Sequence, residues 1–168
     1  LNFTKQFKTL DLGIHGVRLP SFEVNKEDKR KLGVSEDVNN EDFLEALCKD
    51  GLQKSKIEED RYEERLNYEL KTVKDLGFVD YLLLVWEVIN FCKKEKIPTG
   101  IGRGSAAGSL LLYLMGVTKI DPLKYDLYFE RFISKIRAKK QVVDGVTYLD
   151  GSLMCDIDLD ICYYNRPR

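Results

Sequence analysis

Apolar residues recur at helical spacing over much of the chain. Phe43, Leu44, Leu47 and Leu52 share one side of a run that begins at Asn40-Glu41-Asp42, which predicts an amphipathic helix. A second helix follows after a short break, with Tyr62, Leu66, Tyr68, Leu70, Val73 and Leu76 on its apolar side and Gly77 as its stop. Asp80 is the expected cap of a third, Tyr81 through Phe91, which is apolar nearly all round and so is predicted to run through the core. Ile97 to Gly102 reads as a short strand or extended entry to a glycine-rich turn, and Ser105 to Met115 as a helix ended by Gly116. Asp121-Pro122 starts a further helical turn with proline at its first position, leading into Tyr128-Phe129-Glu130-Arg131-Phe132. Gln141-Val142-Val143 and Val146-Thr147-Tyr148 flank Asp144-Gly145, which predicts a hairpin with a tight turn.

Residues 1–20 are mixed in character, end at Leu19-Pro20, and read as a linker or the tail of a preceding domain, leaving 21–168 as one domain. Leu1 is not an initiator Met, and Asn2-Phe3-Thr4-Lys5 lacks the basic start and apolar run of a signal peptide, so the chain reads as a segment of something longer. No apolar stretch approaches membrane-spanning length, which argues against a membrane partner. Cys48, Cys92, Cys155 and Cys162 are widely spaced and form no Cys-x-x-Cys pair, and the single His15 has no nearby ligand partner. Structural zinc is therefore disfavoured, and a reducing, cytoplasmic setting fits. With 27 basic and 28 acidic residues, net charge indicates no polyanion partner.

Two segments carry chemistry. From Asp156 to Ile161 acids and aliphatics alternate, so a strand there would place Ile157, Leu159 and Ile161 on one face and Asp156, Asp158 and Asp160 on the other. Same-face neighbours on a strand lie about 6.5 to 7 Å apart, so these carboxylates repel unless a cation sits among them. A divalent ion such as magnesium answers that need. Read as a strand alone, a charged edge that resists aggregation is the explanation the alternation favours. A calcium loop is excluded, because Ile161 and Pro167 stand where Gly and Glu are required.

The second segment, Gly102-Arg103-Gly104-Ser105-Ala106-Ala107-Gly108-Ser109, enters the predicted helix, whose first N–H groups suit phosphate, and Arg103 and Ser105 add donors. It is not a P-loop. It does fit the loose dinucleotide pattern Gly102-x-Gly104-x-x-Ala107, with Asp121 at about the distance of a ribose contact, so a dinucleotide-dependent oxidoreductase is one alternative. Tight packing through small residues is the other reading of these glycines.

Taken in order, Gly77-Phe78 with Tyr81 to Trp86, the glycine-rich segment, Ile120-Asp121-Pro122-Leu123-Lys124-Tyr125-Asp126-Leu127, Phe129-Glu130-Arg131-Phe132 and Asp156-Ile157-Asp158-Leu159-Asp160 resemble the C-family replicative DNA polymerases, which include the alpha subunit of bacterial DNA polymerase III. The resemblance runs from about Leu19 to Arg166. It implies an α+β fold, a polymerase-beta-like nucleotidyltransferase palm with a small mixed sheet packed against several helices. It also implies template-directed DNA synthesis from deoxynucleoside triphosphates (dNTPs) on primer-template DNA by a two-metal mechanism, with two Mg2+ ions. By position, Arg103, Gly104 and Ser105 would hold the dNTP phosphates, Asp158 and Asp160 would be the catalytic metal ligands, and Asp156 would accompany them. A sliding clamp and other replisome proteins are the partners the family implies. Residues 1–20 resemble the end of the phosphoesterase-like domain that precedes the palm.

Two departures stand out. Where the family has a short connection with Pro and Arg, this chain carries Lys135 to Lys140 and the predicted hairpin, and Cys155 occupies a usual proline position, which points to a divergent, phage-like member. The resemblance also implies a third catalytic aspartate, thumb and fingers outside these residues, so the segment alone is expected not to polymerise. A non-catalytic palm-like scaffold is the remaining alternative.

Overall fold

The structure, a computed structural model, describes residues 21–133, 140–143, 146–149 and 155–165. Among the described residues five helices are present, α1 (Lys26–Leu32), α2 (Asn40–Lys54), α3 (Asp60–Leu76), α4 (Val79–Lys94) and α5 (Leu110–Leu114). Short 3₁₀ turns occupy Gly104–Gly108, Phe129–Arg131 and Tyr163–Asn165. Strands β1 (Lys140–Val143) and β2 (Val146–Leu149) form an antiparallel hairpin in which Val143 pairs Val146, the register that the Asp144-Gly145 signal predicts. Residues 1–20, read above as a linker or domain tail, lie outside the described residues, as does most of the Lys135–Lys140 departure.

The expected α+β fold with a small mixed sheet is corrected. Among the described residues the fold is helical, and its strands form only that two-stranded antiparallel hairpin. The acidic row Asp156 to Ile161 does not join a sheet. It makes one antiparallel bridge, Thr99 with Ile161, fixed by Gly100 N–H to Asp160 O at 2.8 Å and Cys162 N–H to Pro98 O at 3.1 Å. Period-two alternation describes an extended backbone with one buried side, and that does not require a ladder. Ile157 and Leu159 do turn against the core, as alternation predicts.

Helix α2 packs on α4 and α5, and α5 also packs on α3. Phe43, Leu44, Leu82, Leu83, Leu110, Leu111 and Leu112 make the centre and are fully buried. Gly77 ends α3 in the left-handed conformation at φ 75°, with its N–H donating to Lys74 O, as its place after Leu76 predicts. Asp80 is not the α4 cap. It lies inside the first turn, where its carboxylate accepts from Phe22 N–H and the Asn40 side-chain amide, tying the entry of the chain to α2. Nor is α4 buried all round, because Leu84, Val88 and Phe91 leave one stripe exposed.

Helix α1 was not foreseen. Its sequence, KEDKRKL, holds one apolar residue, so periodicity carries no signal. Polar contacts hold it instead: Asn25 caps Asp28 N–H at 2.8 Å, and the buried Asp28 carboxylate accepts from Lys94 Nζ at 3.0 Å and from Asn90. Burial alone would raise the Asp28 carboxyl, but the donors Lys94, Asn25 and Asn90 outweigh it and hold it below the ordinary aspartate value of 3.8. A depressed folded pKa gives stability that is present above the ordinary value and is lost as pH falls through the folded one. Asp28→Asn is therefore expected to cost about 1 to 3 kcal/mol at pH 7. In urea unfolding, its deficit against the wild type should shrink below about pH 4.

Candidate nucleotide and metal site

The glycine-rich turn sits where three segments converge, and its backbone explains its composition. Gly102 and Gly104 have φ 95° and 66°, the left-handed region, while Arg103 between them is extended. A methyl on Gly102 would lie 2.8 Å from Thr118 Cγ2, and one on Gly108 would lie 2.6 Å from Tyr128 O. Small residues are thus demanded by the Thr118 side chain at Gly102 and by the Tyr128 carbonyl at Gly108, so the packing reading of these glycines holds for both.

The expected continuous helix from Ser105 to Met115 is broken at Ser109, and the cause is Glu69. This α3 carboxylate is fully buried and accepts three donors, Ser109 Oγ at 2.9 Å, Leu110 N–H at 3.0 Å and Leu111 N–H at 3.1 Å. It thereby fills the start of α5 at Leu110, further along the chain than Ser105, where the sequence places the helix start suited to phosphate. Arg65, one turn earlier on α3, donates to Glu69 at 2.6 Å and to the carbonyls of Gly108 and Leu127 at 3.0 and 3.1 Å. One buried pair therefore fixes both the turn and the segment facing it. Burial pushes the Glu69 carboxyl up, against the pull of Leu110 N–H, Arg65 and Leu111 N–H.

Between these walls lies a cleft of about 400 Å³ lined by Gly104, Ser105, Gly108, Asp126, Leu127, Tyr128 and Arg131. Arg131 and the exposed Tyr128 were not singled out as site residues, since a lone Arg and Tyr in a Phe-rich run give no spacing signal. The expected helical turn at Asp121-Pro122 is a tight loop without helix. Asp121 Oδ1 accepts from Leu123 and Lys124 N–H, and Leu127 N–H closes on Pro122 O at 2.8 Å. Asp121 Oδ2 accepts from the Tyr62 hydroxyl at 2.7 Å, so both its oxygens are in use. With that carboxylate engaged, and with no parallel strands among the described residues, the dinucleotide alternative loses its ribose contact and its sheet.

Arg103 links the turn to the acidic row. Its Nη2 lies 3.2 Å from Asp158 Oδ1 and its Nε 3.3 Å from Asp160 Oδ1. All three side chains are partly exposed, at 58, 42 and 54%. Asp156 is exposed as well. Among the described residues no three His, Cys, Asp or Glu side chains gather as a metal-binding group. Two carboxylates do converge on a single cationic group, and two carboxylates with substrate phosphates are a common magnesium donor set. The residues present fit the ion on that count.

Gly100 is the hinge of this approach. A methyl there would lie 2.7 Å from Asp160 Cβ and 3.0 Å from Asp160 Oδ2. Gly100→Ala is expected to push Asp160 off the Thr99 bridge, and amide hydrogen exchange should show faster exchange at Gly100 N–H and Cys162 N–H than in the wild type.

Residues 42–168 match the family described as the bacterial DNA polymerase III alpha NTPase domain. The chain is 39% identical over 141 residues to DNA polymerase III subunit alpha of Chlamydia trachomatis, covering 75% of this chain and 10% of that protein. For the Aquifex aeolicus subunit the figures are 39% over 144 residues, 82% and 11%. For Helicobacter pylori they are 36% over 154 residues, 89% and 12%. The chain thus spans about a tenth of the length of the curated relatives it matches. With the turn and the acidic row meeting at Arg103 and the match running through both, the chain belongs to the bacterial DNA polymerase III alpha NTPase domain family.

Proposed function

We propose that this chain supplies the triphosphate-holding turn and two metal-binding carboxylates of a replicative DNA polymerase, with residues 21–168 forming the amino-terminal part of its palm. The reaction is transfer of a nucleotidyl group from a dNTP to a primer 3′-hydroxyl on a template, with pyrophosphate leaving. Ser105 and the Gly104 backbone line the cleft and orient the triphosphate, and the Arg103 guanidinium offers a bidentate donor to its oxygens. Asp158 and Asp160 would hold Mg2+, which lowers the pKa of the attacking hydroxyl and offsets charge on the leaving oxygens. Asp156 stands beside them in the same row as a supporting acid.

The observation that carries this reading is the pair of Arg103 contacts, which join the phosphate turn and the carboxylates into one patch. Membership of the polymerase family supports the reaction class. DNA, dNTP, a sliding clamp and replisome proteins follow as partners of the longer polymerase. A cytoplasmic setting agrees with four unpaired cysteines. Among the described residues no helix is long and apolar enough to cross a membrane. Primer extension by the full-length polymerase carrying Asp158→Ala or Asp160→Ala tests the reading: extension should be lost while DNA binding persists, and retained extension would reject it.

A further inference from the structure

We infer that Arg103 and the divalent cation are alternative partners of the same two carboxylates, so that metal binding releases Arg103 toward the triphosphate. The inference rests on the proposed metal role of Asp158 and Asp160 and adds to it a coupling between the metal and phosphate sites. Nη2 and Nε of one guanidinium contact Oδ1 of Asp158 and Oδ1 of Asp160 at 3.2 and 3.3 Å. Magnesium takes oxygen ligands at about 2.0 to 2.1 Å, so an ion that Asp158 and Asp160 would hold competes with the guanidinium for the same carboxylates and repels it in charge.

The geometry favours exchange over loss of the arginine. Its contacts are exposed ion pairs at 3.2 and 3.3 Å, and such pairs are weak. A divalent ion therefore displaces it at small cost. Left-handed glycines flank it on both sides, Gly102 at φ 95° and Gly104 at φ 66°, and the side chain is 58% exposed, so it can turn without disturbing the core. Its next residues, Gly104 and Ser105, line the 400 Å³ cleft, which puts the freed guanidinium beside the expected phosphates. Arg103 thus covers the carboxylates until an ion arrives and contacts the triphosphate afterwards. Because coupling is reciprocal, a bound triphosphate that captures Arg103 also tightens the metal.

The test is calorimetric Mg2+ titration of the 168-residue chain. Far-UV circular dichroism checks that each variant is folded, and Arg103→Gln stands in as the longer replacement if Arg103→Ala does not fold. Loss of two exposed competing ion pairs should tighten Mg2+ binding about tenfold. In the unmodified chain, the Arg103 Nε resonance should shift with the same Mg2+ midpoint. Asp158→Asn and Asp160→Asn should weaken Mg2+ binding whether or not Arg103 is present. If those Asn variants bind Mg2+ as the wild type does, the metal assignment itself is wrong. If they weaken binding but removal of Arg103 leaves it unchanged or weaker, the metal assignment stands and the exchange is overturned.

Discussion

Full-length polymerase carrying Asp158→Ala is expected to lose single-nucleotide incorporation by about a thousandfold or more, because removing one group aimed at developing charge commonly costs that much. Asp160→Ala should do the same. Neither change should unfold the protein, since both side chains are about half exposed and their ion pairs run to the equally exposed Arg103. Primer-template affinity, measured by anisotropy, should stay within a few fold of the wild type. Asp156→Ala is the informative companion, because this acid shares the row but not the arginine. It should reduce incorporation less than either neighbour, and a loss as large as theirs would move the metal pair one step toward the amino terminus.

The second large effect is on stability. Glu69→Ala is expected to destabilise the fold by about 3 to 5 kcal/mol, read from urea or thermal unfolding. The carboxylate is fully buried, and its loss strands the Ser109 hydroxyl and the Leu110 and Leu111 N–H groups in the core, with Arg65 left without its partner. Glu69→Gln should cost less because one carbonyl acceptor remains. Arg65→Met should leave the helices in place while loosening the Gly108 and Leu127 carbonyls. It is therefore expected to raise the KM for dNTP in the full-length polymerase more than it lowers kcat.

Helices α2 and α3 were legible because their apolar residues follow a 3.6-residue period and Gly77 marks a clear stop. The hairpin was legible because Asp-Gly between two Val-rich runs has few other solutions. Helix α1 was not, since a buried Asp28–Lys94 pair between distant segments leaves no periodic trace. The break at Ser109 was hidden for a related reason: helix propensity favours continuity, and only a carboxylate from another helix interrupts it. A signal did exist in α3, where Glu69 stands on the apolar face beside Leu66 and Val73 with Arg65 four residues before it. An acid in a core stripe with a basic residue one turn away is a buried pair until shown otherwise.

The two segments proposed to carry the chemistry stand out in the sequence more plainly than the fold that positions them. Spacing and residue type point to the glycine-rich turn and to the acidic row, the family resemblance alone singles out Asp158 and Asp160 within that row, and in the structure Arg103 contacts both. The expected sheet failed because alternation reports which side of a backbone is buried, and among the described residues Thr99 alone pairs with the row. The helix start expected at Ser105 falls instead at Leu110, where Glu69 accepts the first N–H groups.

The central claim is that turn and acidic row form a single site for metal and triphosphate. Its most direct test is a nucleotide titration of the chain at saturating Mg2+, using a fluorescent dNTP, with Gly104→Val and Asp158→Asn made singly and together. One shared site predicts that each single change weakens binding and that the double variant is little worse than the weaker single one, because neither half holds the triphosphate alone. Strictly additive losses, or binding that survives either change, would contradict it.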